Sequence, residues 1–180
     1  NRSGALRLLV IGGSLGAQAL NTTVPQALKR IPENLRPHVT HQAGKRHLDA
    51  LRNNYAEAQV EGDLLTFIDN MAGHYADCDL VICRSGALTI AELSAAGIAS
   101  ILVPYPYAVD DHQTCNARFL SDRHAAVLLP QNELTPERLA ELLMGFNREQ
   151  LLEMAMKARE RAKPEATRLV AEACMEMIKT

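Results

Sequence analysis

The stretch LRLLVIGGSLGA, residues 6–17, joins a continuous apolar run to a turn that contains three glycines. The run Leu6–Ile11 predicts a buried strand, and the helical pattern of Ala17–Arg30 follows directly after the turn. A strand that leads through a glycine turn into a helix is the first part of a βα unit. This stretch therefore predicts an α/β protein.

The same alternation of strand and helix continues along the chain. The further predicted strands are Pro37–His41, Val60 with Leu64–Ile68, Asp79–Cys83, Ala99–Val103 and Ala125–Leu129, and the predicted helices between them are His47–Ala58, Met71–Ala76, Gly86–Ala96 and His112–Arg123. These strands are near-continuous apolar runs, which is typical of a parallel sheet covered on both faces. We therefore predict a Rossmann-like, doubly wound parallel sheet over about residues 5–130.

The remainder of the chain, about residues 135–180, carries helical patterns only. Thr135 is the expected N-cap of the first of these helices, with Pro136 at its first position. The predicted helices are Glu137–Phe146, Arg148–Ala162 and Pro164–Lys179, and Pro164 is expected to break the last pair. Since no linker or repeat interrupts the chain, we predict one domain over residues 1–180 with an all-helical C-terminal tail.

The composition argues against several classes of protein. Hydrophobic residues make up 47% of the 180 residues and charged residues 22%, which is normal for a globular protein and not for a disordered one. The 19 basic and 21 acidic residues form no basic stripe, and the chain has no Trp for base stacking, so we expect no nucleic-acid partner. No apolar run approaches the roughly 18 residues of a membrane span.

The cysteines and the first residues of the chain give two further expectations. The four cysteines form no C-x-x-C pair, which argues against a zinc site and favours reduced thiols in a cytosolic protein. The chain opens Asn1-Arg2-Ser3-Gly4, without Met, and enters a strand almost at once. We therefore expect a fragment whose upstream part has been removed.

Two glycine turns are the first candidates for ligand binding, because ligands of doubly wound sheets bind at the carboxyl ends of the strands. The turn Gly12–Ala17 follows the first predicted strand, and Arg84–Thr89 follows the fourth. Glycine turns at helix N-termini present backbone N–H groups and partial positive charge, which suit a phosphate. The first turn matches neither G-x-G-x-x-G nor a Walker A loop. A tight turn that is merely capped by Ser14 is the alternative.

Glu92 admits two interpretations. It follows Thr89 by three positions, so the pair fits a capping box at a helix start. If the helix starts near Gly86 instead, Glu92 lies one turn in, where a carboxylate can accept hydrogen bonds from a ribose diol. The spacing alone favours neither interpretation.

A third polar segment, Tyr105–Asn116, runs from a loop into a helix. His112 and Asn116 share one helix face at i, i+4 spacing, and together with Gln113 they offer groups that suit sugar hydroxyls. In the alternative interpretation, one of the two aspartates of this segment caps the helix and the other polar residues only cover the surface.

Two acidic clusters have the composition of a metal site but not its placement. Asp77-Cys78-Asp79 stands at the start of a predicted strand, the wrong end of the sheet for a ligand. In Asp110-Asp111-His112 the side chains are sequence neighbours, which rarely converge on one ion. We therefore expect no metal at either. No G-x-S-x-G surrounds Ser85, so a hydrolase elbow is not predicted.

Six segments taken together resemble one protein family. They are GGSLGAQALN (12–21), HQAGK (41–45), FIDNMA (67–72), CRSGALTIAEL (83–93), DDHQTCNA (110–117) and KPEAT (163–167). In this order and spacing they are similar to the C-terminal half of the MurG-type N-acetylglucosaminyltransferases of peptidoglycan synthesis. The resemblance implies the GT-B arrangement, in which two Rossmann-like domains face each other across a cleft. It implies that this chain is the UDP-sugar donor-binding domain and that the N-terminal acceptor domain is absent from it.

The resemblance also implies roles for residues at the matching positions. The residues implied for the donor diphosphate are Gly13, Ser14, Leu15, Gly16, Gly86, Ala87, Leu88 and Thr89. Uracil is expected against Phe67 and the main chain of Ile68. The ribose hydroxyls are expected at Glu92, which favours the second of its two interpretations.

The sugar is expected at Gln113 and Asn116, and at His112, where some family members carry Gln. In the family's pattern Arg84 is a structural neighbour. No residue of this chain is implied as the catalytic base, which the family carries in its N-terminal domain. The resemblance implies no cofactor and no metal in the site.

The implied reaction moves N-acetylglucosamine from UDP-N-acetylglucosamine to the muramoyl C4 hydroxyl of lipid I, with inversion, to give lipid II. We expect this fragment to bind the donor without turnover, because lipid I and the membrane are contacted through the other domain. The fragment is expected to be cytoplasmic, and the full-length protein to be peripheral on the cytoplasmic face of the bacterial inner membrane.

Two other functions remain open from the residues themselves. A UDP-N-acetylglucosamine 2-epimerase-like domain would share the donor and would need acid and base groups near the sugar, for which Asp110 and Asp111 are the candidates. A non-catalytic nucleotide-binding module, or a flavodoxin-like protein, would use the same turns without chemistry. The low aromatic content argues against a bound flavin.

Overall fold

The computed structural model describes residues 3–13 and 17–178, and within them strands and helices alternate along the sequence. The strands are β1 (Arg7–Ile11), β2 (His38–Gln42), β3 (Asp63–Leu65), β4 (Leu80–Cys83), β5 (Ser100–Leu102) and β6 (Val127–Leu128). The helices are α1 (Gln18–Arg30), α2 (Leu48–Ala58), α3 (Met71–Asp77), α4 (Ala87–Ala96), α5 (His112–Ser121), α6 (Pro136–Gly145), α7 (Arg148–Glu160) and α8 (Ala166–Ile178). Every predicted strand and helix is present, with bounds that differ by a few residues.

The six strands form one sheet in the order β3-β2-β1-β4-β5-β6, and all neighbouring strands are parallel. The chain runs outward from β1 to β3, then crosses back so that β4 lies beside β1. In register, Leu8 of β1 pairs with Val39 on one side and with Leu80 on the other. The predicted doubly wound sheet is confirmed, and its strand order reverses between β1 and β4. A crevice for ligands opens at such a switch point.

Helices cover both faces of the sheet, which explains why the strands are apolar throughout. On one face, Leu8 and Val10 pack in a cluster with residues of α1, α2 and α6. On the other face, Leu9 packs in a cluster with residues of α3, α4 and α5. Leu8, Leu9 and Val10 are all 2% exposed or less, although they point alternately to the two faces. Burial of each such side chain contributes about 1.5–3 kcal/mol to folding.

Local signals set the ends of several helices. Thr135 caps α6 as predicted, and its side chain accepts a hydrogen bond from the Arg138 N–H at 3.1 Å. Asn147 and Gln150 form a capping box at α7 that the sequence analysis did not identify. Gly97 ends α4 with a φ of +68°, and its N–H bonds to carbonyls of the last turn. Pro164 lies between α7 and α8, as expected of a helix breaker.

Two strands are shorter than their apolar runs. β3 ends at Leu65 rather than at Ile68, because β2 ends at the residue opposite Leu65. β6 pairs through only two residues, because its neighbour β5 is itself only three residues long. Val60 lies outside β3, and the prediction of a strand there is wrong; its side chain packs in the core instead. No sequence pattern predicts the three short 3₁₀ helices, at Glu33–Leu35, Val109–Asp111 and Gln131–Glu133.

The last helix, α8, differs from the others because none of its residues is buried. Its exposed apolar residues include Leu169, Val170, Met175, Met177 and Ile178. In the described part of the chain, no helix combines the length and the apolar character that are needed to cross a membrane.

Candidate functional site

Loops from several strands meet at the carboxyl edge of the sheet, and the two glycine turns lie at its centre. Gly12 and Gly13 follow β1, and Arg84, Ser85 and Gly86 follow β4, the neighbouring strand. Three of the residues predicted to bind a diphosphate, Ser14, Leu15 and Gly16, lie outside the described residues. The structure brings the others of that set, Gly13 and the first residues of α4, to the two sides of the crevice.

Position 13 requires glycine because of its backbone conformation and not because neighbouring atoms crowd it. Its φ is +77°, in the left-handed region, while no described atom outside its chain neighbours lies within 4 Å of a Cβ added there. An L-residue would be strained at this position by about 1–2 kcal/mol. The backbone conformation is therefore the reason for glycine at this position.

The side chain of Gln42, at the end of β2, holds this turn in place. Its Oε1 accepts from the Gly13 N–H at 3.0 Å, and its Nε2 donates to the Gly13 carbonyl at 3.1 Å. The same Nε2 donates to the carbonyl of Thr66 at 3.0 Å, in the loop after β3. Gln42 belongs to the segment HQAGK, for which no role of this residue is predicted from the sequence. A long polar side chain that ends a strand in a buried sheet was the available signal.

The loop after β3 carries the two residues predicted for uracil. Phe67 is 59% exposed, whereas Ile68 is 5% exposed and packs in the core beside Tyr75. Any ligand contact of Ile68 must therefore be made by its main chain. Asn70 then caps α3, and its side chain accepts from the Gly73 N–H at 3.0 Å.

The N-terminus of α4 is open on the side of the crevice. Gly86 is the N-cap, and among the residues that the structure describes no side chain caps the first N–H groups of the helix, which belong to Ala87, Leu88 and Thr89. Leu88 is 80% exposed. These N–H groups and the positive end of the helix dipole can therefore bind an anion.

The start of α4 at Ala87 decides between the two interpretations of Glu92. Thr89 lies inside the helix, so the capping box of Thr89 with Glu92 is wrong. Glu92 lies one turn further along and is exposed, and it accepts a hydrogen bond from the Tyr75 hydroxyl at 3.2 Å. Burial raises the pKa of Tyr75, and the charges of Cys83 and Glu92 raise it further, so the hydroxyl stays a donor.

An apolar groove of about 540 Å³ lies between α3 and α4 beside this carboxylate. It is lined by Met71, Ala72, Tyr75, Ala76, Glu92, Ala95 and Ala96. The groove pairs an apolar wall with one exposed carboxylate, which are the features that suit the face and the hydroxyls of a sugar or nucleoside.

Arg84 links the loops that follow β4 and β5. Its Nη1 donates to the carbonyls of Val103 at 3.1 Å and Pro104 at 3.0 Å, and its Nη2 donates to Gln131 Oε1 at 2.6 Å. The guanidinium also lies 5.4 Å from the centre of the Tyr105 ring. Burial lowers the pKa of Arg84 from its usual value. These contacts use the guanidinium to position protein groups.

Gln113 and Asn116, both predicted near the sugar, have different surroundings. The Gln113 Oε1 accepts from the Tyr105 N–H at 2.9 Å, and the Gln113 carbonyl accepts from the Ser85 hydroxyl at 2.8 Å. Asn116 Nδ2 donates to the Ser85 carbonyl at 3.0 Å, which ties α5 to the turn after β4. The Gln113 side chain therefore offers its Nε2 to a ligand, and Asn116 supports the turn.

The start of α5 is unusual. Asp110 and Asp111 have φ values of +51° and +50°, and Asp111 is the N-cap of the helix. Its carboxylate accepts from the Thr114 hydroxyl at 2.6 Å and not from a backbone N–H. His112 begins α5 and is exposed. Among the residues that the structure describes, no group of three or more His, Cys, Asp and Glu side chains is arranged to hold a metal ion.

A buried polar network lies behind the site, around His41. Its Nε2 is 3.0 Å from Asn21 Oδ1 and its Nδ1 is 3.0 Å from the Tyr55 hydroxyl. Since Oδ1 can only accept, Nε2 carries the hydrogen and Nδ1 accepts from Tyr55. Burial lowers the pKa of His41 to about 3, so the ring is neutral. The network joins β2 to α1 and α2.

The strand order, the crevice between β1 and β4, the open helix N-terminus and the carboxylate one turn beyond it define a Rossmann-like nucleotide-binding domain. GT-B glycosyltransferases contain such a domain as their C-terminal half. Residues 7–171 match the family described as "Glycosyltransferase family 28 C-terminal domain". The chain belongs to this family.

Curated relatives agree with this assignment. A protein of Nitrosospira multiformis is 71% identical over 177 residues, which are 98% of this chain and 50% of that protein. A protein of Nitrosomonas europaea is 66% identical over 177 residues, which are also 98% of this chain and 50% of that protein. Both are named UDP-N-acetylglucosamine--N-acetylmuramyl-(pentapeptide) pyrophosphoryl-undecaprenol N-acetylglucosamine transferase. The chain spans about half the length of these relatives.

A solved structure shows the same fold. The crystal structure of Acinetobacter baumannii MurG is similar to this chain with a TM-score of 0.90 and 44% sequence identity. The similarity covers 98% of this chain and 51% of that one. The expected fold, a Rossmann-like sheet of the C-terminal GT-B type followed by helices, is confirmed.

Proposed function

We propose that this chain is the donor-binding domain of an inverting glycosyltransferase. The whole enzyme transfers N-acetylglucosamine from UDP-N-acetylglucosamine to the muramoyl C4 hydroxyl of lipid I and gives lipid II. The observation that carries the proposal is that the turn at Gly13 and the N-terminus of α4 follow the neighbouring parallel strands β1 and β4, with Glu92 one turn further along α4. The printed names of the relatives support the choice of donor and acceptor.

The diphosphate of the donor binds between the two glycine turns in this proposal. Gly13, Gly86, Ala87, Leu88 and Thr89 contribute, together with Ser14, Leu15 and Gly16. Negative charge develops on UDP as the glycosidic bond breaks, and backbone N–H groups fixed in advance stabilise that charge. The helix dipole of α4 stabilises the bound diphosphate by roughly 0.3–1 kcal/mol, and by more where water is excluded. No metal ion or cofactor is needed for this role.

The uridine lies along the groove between α3 and α4. The main chain of Ile68 bonds to uracil, with Phe67 beside it, and the Glu92 carboxylate accepts from the ribose hydroxyls. The hydrogen bond from Tyr75 orients that carboxylate at 3.2 Å. The N-acetylglucosamine then reaches the start of α5, where Gln113 Nε2 donates to the sugar, with His112 and Asn116 nearby.

The acceptor side of the reaction belongs to the other half of the protein. Deprotonation of the acceptor hydroxyl needs a general base, and none of the residues proposed for the donor is assigned that role. The base, the lipid I site and the membrane contact are therefore assigned to an N-terminal domain. The chain itself works on the cytoplasmic side, and the whole enzyme is peripheral on the cytoplasmic face of the bacterial inner membrane.

A product analysis tests this proposal. The chain is incubated with UDP-N-acetylglucosamine and a soluble lipid I analogue, and a full-length relative such as the Nitrosospira multiformis protein is the positive control. We expect the chain to bind the donor and to form little or no disaccharide. Transfer at a rate near that of the full-length control would contradict the proposal. Formation of UDP-N-acetylmannosamine would favour the 2-epimerase instead.

A further inference from the structure

The side chain of Gln42 connects two loops that bind different parts of the proposed donor. Gln42 ends β2 and is paired with β1 on one side and β3 on the other, opposite Ile11 and Leu65. Gln42 is 4% exposed, and its carboxamide makes three hydrogen bonds, two with Gly13 and one with Thr66. One planar group therefore holds the loop after β1 and the loop after β3 at once.

The geometry leaves this group little freedom. The Gly13 and Thr66 carbonyls lie 3.1 Å and 3.0 Å from the same nitrogen, so both hydrogens of Nε2 are used. Oε1 is used by the Gly13 N–H at 3.0 Å. The backbone ladder also continues past the strand ends, from the Gly12 N–H to the Gln42 carbonyl and from the Ala43 N–H to the Leu65 carbonyl. A shift of either loop would break a partly buried hydrogen bond.

The two loops serve different ligand groups under the proposed function, on which this inference rests. Gly13 belongs to the turn proposed for the diphosphate, and Thr66 directly precedes Phe67 and Ile68, which are proposed for uracil. We propose that Gln42 is a positioning residue that fixes the distance between the base loop and the diphosphate loop. It touches neither ligand group, and it makes the binding of one group favour the binding of the other.

The inference predicts a specific pattern of affinities. Uridine contacts the base loop only, whereas UDP spans both loops. The isosteric variant Gln42→Glu keeps an acceptor for Gly13 but loses both donors and places a carboxylate oxygen against two carbonyls. The loss of two partly buried hydrogen bonds is expected to weaken UDP binding by about 10–100-fold, while uridine binding changes by less than about threefold.

The ratio of the two affinities separates positioning from a general loss of structure. A residue that only stabilises the fold would lower the melting temperature and leave the ratio of UDP to uridine affinity unchanged. Gln59→Glu is the matched control, because Gln59 is exposed at the end of α2 and takes the same change of charge away from the site. Calorimetry and NMR titrations of the unmodified chain, Gln42→Glu and Gln59→Glu give the ratio of UDP to uridine affinity for each. An unchanged ratio in Gln42→Glu would overturn the inference.

A measurement on the unmodified chain covers the case in which Gln42→Glu fails to fold. Because the Gln42 amide contacts both loops, its two side-chain NMR signals are expected to shift with uridine alone and with inorganic pyrophosphate alone. A shift with one ligand only, or with neither, while UDP binds, would overturn the inference. If UDP does not bind to the unmodified chain, the proposed function itself is contradicted, and the inference with it.

Discussion

At the scale of single residues, the neutral ring of His41 links the stability of the fold to pH. Its pKa is about 3 in the folded chain because burial disfavours the charged ring, whereas an exposed His has a pKa near 6.5. The folded state therefore binds fewer protons than the unfolded state between these values. The contribution of His41 is present above about pH 6.5 and is lost as the pH falls towards 3.

This linkage predicts a measurable difference between two chains. Between pH 7.5 and pH 5, protonation of His41 in the unfolded state should lower the free energy of unfolding of the native chain by about 2 kcal/mol. Urea unfolding at both pH values compares the native chain with His41→Gln, in which the amide can donate to Asn21 without titrating. We expect the free energy of unfolding to fall by about 2 kcal/mol more in the native chain than in His41→Gln. An equal fall in the two chains would show that His41 does not titrate on unfolding.

Glu92 provides a prediction about affinity. Under the proposed function, Glu92→Ala removes a charged acceptor of the ribose hydroxyls and should weaken binding of UDP-N-acetylglucosamine by about 1.5–3 kcal/mol, or roughly 10–150-fold. Since Glu92 caps no helix, the melting temperature should change little. Tyr75→Phe, which removes only the hydroxyl that orients Glu92, is the graded control and should have a smaller effect. Unchanged affinity in Glu92→Ala, measured by calorimetry, would contradict the ribose assignment.

Sequence reasoning at this scale identified side chains but not their partners. It proposed Gln113 and Glu92 for the site, yet only the position of the helix start at Ala87 shows that Glu92 forms no capping box with Thr89. The hydrogen-bond partners of Gln42 and Arg84 were not predictable, because these bonds join loops that are far apart in sequence. Such contacts depend on the strand order, which a single sequence does not contain.

At the scale of strands and helices, periodicity predicted the type of each element better than its ends. The proline signals were accurate, as at Thr135-Pro136 and Pro164, because they act within one turn of chain. The run Leu64–Ile68 was too long as a strand, since its end is set by the last paired residue of β2. The two residues beyond Thr66 therefore fall in a loop, where they can contact a ligand.

Helix α8 gives a prediction about stability. It has no buried residue, so deletion of residues 164–180 should change the free energy of unfolding of the remaining chain by less than about 1 kcal/mol. Leu151→Ala in α7 is the contrasting control, since Leu151 is 2% exposed and its truncation should cost about 2–5 kcal/mol. Both are measured by urea unfolding. A loss of several kcal/mol on deletion of α8 would show that the helix packs on this chain in solution.

At the scale of the whole molecule, the described residues of the proposed donor site follow strands that end at one edge of the sheet. The alternation of apolar strands and helices predicted a parallel, doubly wound sheet, because only that arrangement buries both faces of each strand. It did not predict which strands are neighbours. The reversal between β1 and β4 brings Gly13 and α4 together, although some seventy residues separate them in the sequence.

The central claim is that this chain binds the donor in the crevice between β1 and β4 and needs no metal to do so. Calorimetric titration of the chain with UDP-N-acetylglucosamine, with and without EDTA, tests it most directly, and UDP-N-acetylgalactosamine and NADH are the comparison ligands. We predict binding that EDTA does not change, preference over the C4 epimer by about tenfold or more, and no binding of NADH. Absence of binding, a requirement for a divalent metal, or equal affinity for NADH would contradict the account.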